Sequence, residues 1–380
     1  MPSINYITLV PRRVDAQAVL CCILYLMDMS CESKSLIDLS SSQLEALLAA
    51  LGAPAYRAKQ IQHWVYSGLA ASFDEMANLP KGLQQRLSDE IALRAVSPKY
   101  EAVSRDGTVK MLFSLRDGKT IEAALMPYVA AVRPRNTVCV STQVGCPIGC
   151  PFCATGQQGF ERNLTPGEII DQVLHYARRL RDEDGSTVDN IVFMGMGEPF
   201  LNFDALWQAI EMLNSPQGFG LGARQMTIST AGIVPGIRRL SREKLQVGLA
   251  VSLHAADDAL RNKLVPINRK YPLEKLMAAC RDYVETSGRR VSFEYALFDG
   301  INDSIEHARD LCRLLKGMNC HVNLIAGNPT GDTEFKASGK DAVLAFQGEM
   351  EQRHIPCTLR VRRGIDIDAG CGQLRSRVGR

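Results

Sequence analysis

Residues 146–153 read CPIGCPFC, a C-x3-C-x2-C pattern that directly follows a predicted strand over Thr137–Thr142. The two prolines and the glycine between the cysteines disfavour a regular helix, so this loop can wrap its thiolates around one inorganic core. Thiolates select zinc or an iron–sulfur cluster. Structural zinc sites and electron-transfer [4Fe–4S] clusters use four protein ligands, whereas this loop supplies three. The pattern therefore predicts a metal centre with one open position, where a substrate or cofactor can bind.

Strand and helix patterns alternate along the chain from this first strand onward. The predicted strands are Thr137–Thr142, Asp189–Met194, Gln225–Thr230, Gln246–Leu253, Arg290–Phe298 and His321–Ile325. The predicted helices between them include Pro166–Leu180, Phe203–Leu213 and Leu273–Thr286. Six βα units in succession predict a parallel sheet of the α/β class. Because parallel crossovers are right-handed, we expect a full or partial (β/α)6 barrel with its site at the carboxyl ends of the strands; a flat doubly wound sheet is the alternative.

Two smaller patterns precede the barrel. Leucines recur at helical spacing after Ser40-Ser41-Ser42, a second helix is predicted over Tyr56–Tyr66, and a third follows Pro80. Asp-Gly pairs at 106–107 and 117–118 then separate three stretches of period two, which predicts an antiparallel meander. Its strands are predicted at Lys99–Ser104, Thr108–Leu115 and Lys119–Met126. The expected organisation is an extension over 1–35, a helical module over 36–98, the meander and a linker over 99–136, the barrel over 137–356, and a last strand with an arginine-rich tail over 357–380.

The composition is that of an ordinary folded protein. Of 380 residues, 46% are hydrophobic and 22% are charged, which argues against wholesale disorder, a collagen-like chain or a multi-span membrane protein. Twelve cysteines in a chain of this length are too dilute for a disulfide framework, so we interpret the thiols by their spacing. The net charge is only +3, but residues 357–380 contain six arginines against two aspartates. This local excess of positive charge predicts a polyanionic partner near the end of the chain.

An apolar run of ten residues over 18–27 follows Arg12 and Arg13. It is too short to span a bilayer as a helix, which needs about 20 residues. Its length is that of a signal-peptide core, but residues 28–31 offer no small-x-small cleavage site. We therefore favour an extension upstream of a start at Met27 or Met29 over an export signal.

Short polar motifs follow several of the predicted strands. A glycine-rich turn with one carboxylate, GMGEP, occupies residues 195–199, and later strands end in STAG at 229–232 and SLH at 252–254. Asn328-Pro329 follows the sixth strand. Each motif alone is typical of a turn or a helix N-cap. A barrel brings the carboxyl ends of its strands into one ring, so their joint placement predicts a binding site.

These motifs together resemble the radical S-adenosylmethionine RNA methyltransferases, and more narrowly their adenine-C2 (RlmN-type) members. The resemblance rests on CPIGCPFC, GMGEP, TISTAGIVPGI at 227–237, AVSLHA at 250–255, VPINRKYPLE at 265–274, the Asn328-Pro329 turn and IDIDAGCGQL at 365–374. It implies that Cys146, Cys150 and Cys153 bind a [4Fe–4S] cluster whose open iron takes S-adenosylmethionine. It also implies a set of S-adenosylmethionine-binding residues, which are Gly197, Glu198, Ser229, Ser252, Leu253, His254 and Asn328.

The chemistry of the family explains two further cysteines. C2 of adenine is an electron-poor carbon without a lone pair, so ordinary nucleophilic methyl transfer fails and radical addition is needed. The resemblance implies that Cys371 takes a methyl group from one S-adenosylmethionine, and that a 5′-deoxyadenosyl radical from a second one removes hydrogen from it. The methylene radical then adds to adenine, and Cys139 releases the thioether by forming a disulfide with Cys371. Glu122 matches the proton acceptor of the family.

The surroundings of these residues predict their exposure and their partners. Without the resemblance, Cys139 is typical of a small buried residue and Glu122 of an outward-facing charge in a strand. Cys371 lies between two glycines in an arginine-flanked segment, which predicts exposure and thiolate character. The resemblance implies 23S ribosomal RNA and transfer RNA beside the anticodon as substrates. From their positive charge, we expect the helical module, Arg375 and Arg377 to contact this RNA. We also expect an electron donor such as a flavodoxin, and a cytoplasmic monomer without membrane attachment.

Two rival functions remain open at this point. A C8 adenine methyltransferase would use the same cysteines, and identification of the modified nucleoside separates it from the C2 enzyme. A non-catalytic zinc or iron–sulfur protein that binds RNA is the more distant alternative, and anaerobic metal and sulfide analysis separates it from both enzymes.

Overall fold

The computed structural model describes residues 35–128, 134–328 and 334–375. The chain forms two compact units, which divide between Ala95 and Val96. Residues 1–34 of the predicted N-terminal extension, which include its apolar run, lie outside the described residues, as do Pro329 and Arg377. No helix in the described ranges is long and apolar enough to span a membrane.

The N-terminal unit is helical, as its leucine spacing predicts. Its helices are α1 (Ser41–Ala50), α2 (Arg57–Tyr66) and α3 (Lys81–Glu90). Ser40 and Gln43 form a capping box at the start of α1, in which each backbone N–H donates to the side chain of the other residue. Leu47, Ile61 and Leu87, one from each helix, are fully buried. The apolar faces of three short helices therefore supply the core of this unit.

A large sheet is the frame of the second unit. Its described residues contain the strands β1 (Ser97–Val103), β2 (Val109–Ser114), β3 (Thr120–Tyr128), β4 (Arg135–Cys139), β5 (Gln143–Gly145), β6 (Phe160–Asn163), β7 (Asn190–Phe193), β8 (Met226–Thr230), β9 (Gly248–Ser252), β10 (Val291–Leu297), β11 (Cys320–Ala326) and β12 (Cys357–Leu359). All except β5 and β6, which form a separate ribbon, belong to one ten-stranded sheet. Strands β1 to β4 pair antiparallel, and the predicted meander is thereby confirmed. It continues directly into the parallel part of the sheet, because β4 pairs parallel with β7.

The parallel strands follow one another in the order β4-β7-β8-β9-β10-β11-β12, without a reversal. The helices of this unit are α4 (Ala154–Gln158), α5 (Pro166–Asp184), α6 (Phe203–Asn214), α7 (Val234–Leu240), α8 (Asp258–Leu264), α9 (Leu273–Ser287), α10 (Ile305–Leu315) and α11 (Lys340–Gln352). A doubly wound sheet reverses its strand order to place helices on both faces, whereas right-handed crossovers in one direction keep them on one face. The predicted partial barrel is confirmed, and β12 joins its six predicted strands.

Helix α5 covers the face of the sheet that is turned away from the barrel interior. Thr165 and Glu168 form a capping box at its start. Further along, Tyr176 packs edge-on against Phe113 and donates its hydroxyl to the carbonyl of Ala123 at 2.8 Å. Because side chains alternate along a strand, the residues next to Phe113 and Ala123 point to the opposite face, into the barrel.

The cysteine loop, residues 146–153, lies between the two strands of the β5–β6 ribbon, which the sequence patterns did not predict. The first barrel strand, β4, ends at Cys139 and not at the predicted Thr142. The ribbon depends on a close backbone approach: Gly145 has φ 73°, and a side chain there would meet the carbonyl oxygen of Gly159 at 1.8 Å. The N–H of Cys146 donates to that same carbonyl at 2.8 Å. The ribbon therefore fixes the backbone on both sides of the cysteine loop, at Cys146 and at Gly159.

Candidate active site

The cysteine loop presents three half-buried thiols, Cys146, Cys150 and Cys153. The N–H of Cys153 donates to the carbonyl of Cys150 at 3.1 Å, and Gly149 takes φ 71°, so the loop turns tightly. Burial raises the pKa of Cys146 to about 12 and that of Cys150 well above its ordinary value, and negative charge on a neighbouring thiol raises each of them further. Thiols that interact in this way need a strongly cationic centre to hold them deprotonated.

A [4Fe–4S] cluster fits these residues. In the part of the chain that the structure describes, no group of three or more His, Cys, Asp or Glu side chains converges closely enough to bind a single metal ion. A [4Fe–4S] cluster is larger than a single metal ion. Its cysteine ligands therefore lie farther apart than the ligands of one ion. The three interacting thiols are ligands of the soft type that such a cluster takes.

Glu198 follows β7, and its charge reaches the thiols of the cysteine loop. Its N–H donates to Gln143 Oε1 at 2.8 Å, and its carboxylate oxygens accept the N–H groups of Phe200 at 3.1 Å and Ala231 at 2.7 Å. Burial raises the pKa of Glu198 to about 7 in spite of these bonds. Gly197 precedes it at φ 105°, where a side chain would collide with Gln143. Each carboxylate oxygen keeps acceptor capacity, so Glu198 can bind the ammonium group of a ligand.

Strands β8 and β9 place Ser229 and Ser252 side by side, with their hydroxyl oxygens 3.5 Å apart. His254 follows β9, and its Nδ1 accepts the N–H of Ala296 at 3.0 Å, which assigns the ring hydrogen to Nε2. Burial and the charge of Arg261 lower the pKa of His254 to about 3, so the ring is neutral. These strand ends therefore offer two hydroxyls and one imidazole N–H to a ligand.

Arg261 organises these strand ends, although sequence reasoning missed it. It is fully buried in α8 and donates to the carbonyls of Ala231, Ser252 and Leu253 at 2.7, 3.2 and 3.1 Å. It therefore ties the end of β8 to the end of β9 and fixes the backbone of Leu253. An arginine in a helical stretch is normally exposed, so no sequence signal distinguishes it from a surface charge.

Asn328 follows β11 and carries a buried acceptor that lacks a partner. Its Nδ2 donates to the carbonyl of Cys371 at 3.1 Å, but its Oδ1 has no hydrogen bond within the described residues. An unsatisfied buried acceptor costs about 1–3 kcal/mol, so it indicates a ligand that donates a hydrogen bond there. S-adenosylmethionine, with amino and hydroxyl donors, meets this requirement.

We expect Asn328→Ala to weaken S-adenosylmethionine binding about fivefold, because one hydrogen bond of roughly 1 kcal/mol is lost. Anaerobic equilibrium dialysis of the cluster-loaded protein measures the affinity. Asn319→Ala, an exposed asparagine just before β11, is the matched control and should bind as the parent does. Equal affinities for the two variants would remove Asn328 from the binding site.

Residues 364–375, here called the tail segment, bring Cys371 to this end of the barrel. The carbonyl of Gly372 accepts the N–H of Ala154 at 2.7 Å, and the carbonyl of Leu374 accepts the hydroxyl of Thr155 at 2.6 Å. Ala154 and Thr155 directly follow the cysteine loop. Together with the hydrogen bond to the Cys371 carbonyl, these contacts fix the tail segment beside the cysteine loop.

The two remaining cysteines of the predicted site interact with each other. Cys139 ends β4 and is buried; burial raises its pKa to about 12, and negative charge on Cys371 raises it further. Cys371 is exposed, as predicted. The prediction of thiolate character for Cys371 is wrong. Although the side chain is accessible, the surrounding protein desolvates the thiol and raises its pKa, and so does the charge of Glu294, while Arg360 offsets only part of this.

Glu122 lies in β3 and is only 1% exposed, unlike an ordinary outward-facing charge in a strand. Its Oε2 accepts the backbone N–H of Arg375 at 2.8 Å, and its Oε1 lies 3.3 Å from Lys110 Nζ. Burial raises the pKa of Glu122, while Lys110 and Arg375 act in the opposite direction. This buried carboxylate therefore contacts the same tail segment that carries Cys371.

Comparison with known proteins assigns family models to both units. Residues 140–312 match the radical SAM superfamily, and residues 34–93 match the ribosomal RNA large subunit methyltransferase N-terminal domain. A probable dual-specificity RNA methyltransferase RlmN from Desulfitobacterium hafniense (strain Y51) is 48% identical over 90% of this chain and 96% of that protein. One from Staphylococcus epidermidis (strain ATCC 12228 / FDA PCI 1200) is 45% identical over 91% of this chain and 94% of that protein. The crystal structure of a radical SAM methyltransferase from Sphaerobacter thermophilus is similar with a TM-score of 0.87 and 50% identity, over 90% of this chain and 99% of that chain.

The partial barrel and the cysteine loop define a radical S-adenosylmethionine enzyme, whose cofactors are a [4Fe–4S] cluster and S-adenosylmethionine. Within this class, the chain belongs to the family of RlmN-type dual-specificity RNA methyltransferases. The resemblance stated from the sequence motifs is confirmed, and so are the two cofactors that it implies.

Proposed function

We propose that this enzyme methylates C2 of adenosine in 23S ribosomal RNA and in transfer RNA beside the anticodon. The observation that carries the proposal is the arrangement of three reactive groups. Cys139 and Glu122 lie on the same side of the sheet, charge on Cys371 reaches the Cys139 thiol, and Glu122 accepts the backbone N–H of Arg375 in the tail segment. Radical methylation of an aromatic carbon needs a methyl carrier, a thiol that releases the product and a proton acceptor. These three side chains have the required chemistry.

The cofactors would lie at the carboxyl ends of the barrel strands. Cys146, Cys150 and Cys153 would hold the cluster, and the S-adenosylmethionine residues would be Gly197, Glu198, Ser229, Ser252, Leu253, His254 and Asn328. When bound there, these groups supply a methyl group from one S-adenosylmethionine and a 5′-deoxyadenosyl radical from a second. Glu198 would accept the ammonium group of the ligand, and Asn328 Oδ1 would accept one of its donors.

Cys371 acts as the methyl carrier in this proposal. Its thiol gives up a proton and takes a methyl group, which leaves S-adenosylhomocysteine as the other product. Loss of one hydrogen atom from the S-methyl group leaves a carbon that bonds to C2 of adenine. Protein and RNA are then joined by a thioether. The exposure of Cys371 supports this role, because a base from outside the protein has to reach its sulfur.

Cys139 and Glu122 complete the reaction. The hydrogen of C2 leaves as a proton to Glu122, and the Cys139 thiol supplies the proton that completes the new methyl group. The sulfurs of Cys139 and Cys371 join in a disulfide, which breaks the sulfur–carbon bond of the thioether. This step releases one electron, which a one-electron carrier such as a flavodoxin takes up. A dithiol reductant must then reopen the disulfide before the next turnover.

The RNA has to present an adenosine that is free of its neighbours. C2 is inaccessible in a stacked base, so we expect action on a splayed loop or on ribosomal RNA that is not fully assembled. Exposed basic residues on α2, including Lys59 and His63, would contact phosphates, and so would Arg375 and Arg377. The enzyme would then work as a cytoplasmic monomer, without membrane attachment.

Anaerobic turnover on unmodified ribosomal and transfer RNA tests this function. The RNA is digested to nucleosides, and the methylated product is identified by chromatography and mass spectrometry against synthetic standards. Formation of 2-methyladenosine supports the proposal. A product of 8-methyladenosine would instead assign the C8 reaction, and no methylation of either RNA would contradict both.

We expect Arg375→Ala to weaken RNA binding and to lower its salt slope by about one, because one phosphate contact is lost. Its side chain is 43% exposed, and only its backbone N–H contacts Glu122, so alanine keeps that hydrogen bond. Cleavage of S-adenosylmethionine in the absence of RNA should not change. Arg313→Ala, an exposed arginine on α10, is the control. Filter binding at several salt concentrations measures the slope, and equal slopes for both variants would rule out this contact.

A further inference from the structure

Lys110 is a shielded cation that the proposed chemistry does not use. It lies in β2, and its side chain is only 11% exposed. Its ammonium nitrogen lies 3.3 Å from Glu122 Oε1 and 3.3 Å from the carbonyl oxygen of Asp368. One cation therefore contacts both the proposed proton acceptor and the tail segment.

The strand register explains this contact. In the antiparallel β2–β3 pair, Lys110 lies opposite Ala124 and Leu112 lies opposite Glu122. Lys110 and Glu122 are therefore diagonal neighbours on the barrel-facing side of the sheet, within reach of a long side chain. Cys139 faces the same side, because it lies opposite Ala124 in β4.

Glu122 needs a cationic partner because it is buried. A buried carboxylate without compensation takes up a proton and loses its charge. The charged and titratable groups around it are Lys110 from β2, Cys139 from β4, and Asp368 and Arg375 from the tail segment. The guanidinium of Arg375 pairs with Asp368 at 3.5 Å, and only the backbone N–H of Arg375 bonds to Glu122. Among the described residues, Lys110 is therefore the side-chain cation in contact with this carboxylate.

We propose that Lys110 is a positioning residue for methyl transfer, which holds the Glu122 carboxylate ionised and ties it to the tail segment that carries Cys371. The inference rests on the proposed role of Glu122 as acceptor of the adenine proton. Only the ionised carboxylate can accept that proton. Without the ammonium group, a larger fraction of the enzyme carries a protonated Glu122 at neutral pH and cannot release its product.

The sign of the pH effect follows from this requirement. Burial already raises the pKa of Glu122, and loss of the Lys110 charge raises it further. Because the ionised form is the active one, activity rises as the pH passes through this pKa. The rising limb of the pH profile therefore moves to higher pH when Lys110 is made neutral.

Four variants test the proposal by the rate of RNA methylation as a function of pH. Lys110→Met and Lys110→Gln should lose up to about tenfold in rate on the acid side of the Glu122 pKa and recover as the pH rises, with the rising limb moved by about one unit. Lys110→Arg should keep the profile of the parent, because it keeps the charge. Lys119→Met, which removes a surface lysine paired with Glu161, is the matched control and should leave the profile unchanged.

An infrared titration of the ligand-free protein measures the same effect without turnover. The carboxyl band of Glu122 is assigned by its loss in Glu122→Gln. The pH midpoint of its titration should move upward in Lys110→Gln. This variant keeps a polar end group, so it can be used if Lys110→Met does not fold. An unchanged midpoint, or a rate that falls by the same factor at every pH, would overturn the proposal. A product other than 2-methyladenosine would overturn the proposed function, but the infrared midpoint would still decide the role of Lys110 toward Glu122.

Discussion

Replacing Cys139 with alanine should trap the enzyme covalently joined to its RNA. If Cys371 carries the methyl group and becomes the bridge to adenine, Cys139→Ala still forms the bridge but lacks the thiol that breaks it. Product formation should fall by about 1,000-fold or more, since an essential covalent step is lost. The adduct is measured as a band on a denaturing gel that disappears with nuclease and that requires S-adenosylmethionine and a reductant.

Cys371→Ala is the matched variant for this experiment. It has no methyl carrier, so it should give neither methylated RNA nor the covalent band. A Cys139 that served only for packing in β4 would instead cause a stability loss of roughly 1 kcal/mol with near-normal methylation. Normal product formation by Cys139→Ala, or a band that persists after both cysteines are replaced, would show the mechanism to be wrong.

Cys150→Ala should abolish turnover while the chain stays folded. The cysteine loop is half-buried and irregular, whereas the core of the barrel consists of fully buried strand residues such as Ile191, Ile228, Val251 and Phe293. Loss of one thiolate removes the cluster, and product formation should drop to background. The absorbance of the reconstituted cluster, circular dichroism and the methylation rate are measured on the same sample.

The control for Cys150→Ala is Cys357→Ala. Cys357 is a half-buried free thiol at the start of β12, and its sulfur contacts the carbonyl of Gln347 at 3.9 Å. Its replacement should leave cluster content and activity close to those of the parent. Loss of secondary structure together with the cluster in Cys150→Ala would show that the metal is structural. One zinc in place of about four irons per chain would contradict the radical chemistry.

Hydrophobic periodicity was sufficient to predict the barrel but not the ribbon that holds the cysteine loop. Strands such as β10 and β11 were predicted within two residues of their observed ends, because they are apolar runs bounded by turn residues. The ribbon has strands of only three and four residues. It depends on the contact between Gly145 and Gly159, which are well separated along the chain and show no periodic signal. A close approach between two backbones cannot be read from residue type alone.

The candidate site was likewise predicted only in part from the sequence. Motifs were sufficient to find the cysteines and the polar strand ends, because the chemistry restricts those residues to particular types and spacings. The partners of Glu122 could not be predicted, because its bond to Arg375 joins residues 253 positions apart. The shift of the Cys371 pKa was predicted with the wrong sign for a related reason: nearby arginines in the sequence suggested a thiolate, but desolvation by the surrounding protein and the charge of Glu294 in β10 raise the pKa.

The hydrogen bonds between the tail segment and the meander also affect the order in which the chain folds. Asp366 accepts hydrogen bonds from the Ser104 hydroxyl and the Arg105 N–H, across 262 and 261 residues of chain. Contacts of such long range form late, because the loop they close is costly in entropy. A chain folded only through β11 would contain the cysteine loop but would not yet hold Cys371 beside it. The proposed methyl carrier would thus be the last part of the site to reach its position, and an incompletely folded chain would have no methyl acceptor in place with which to begin the proposed reaction.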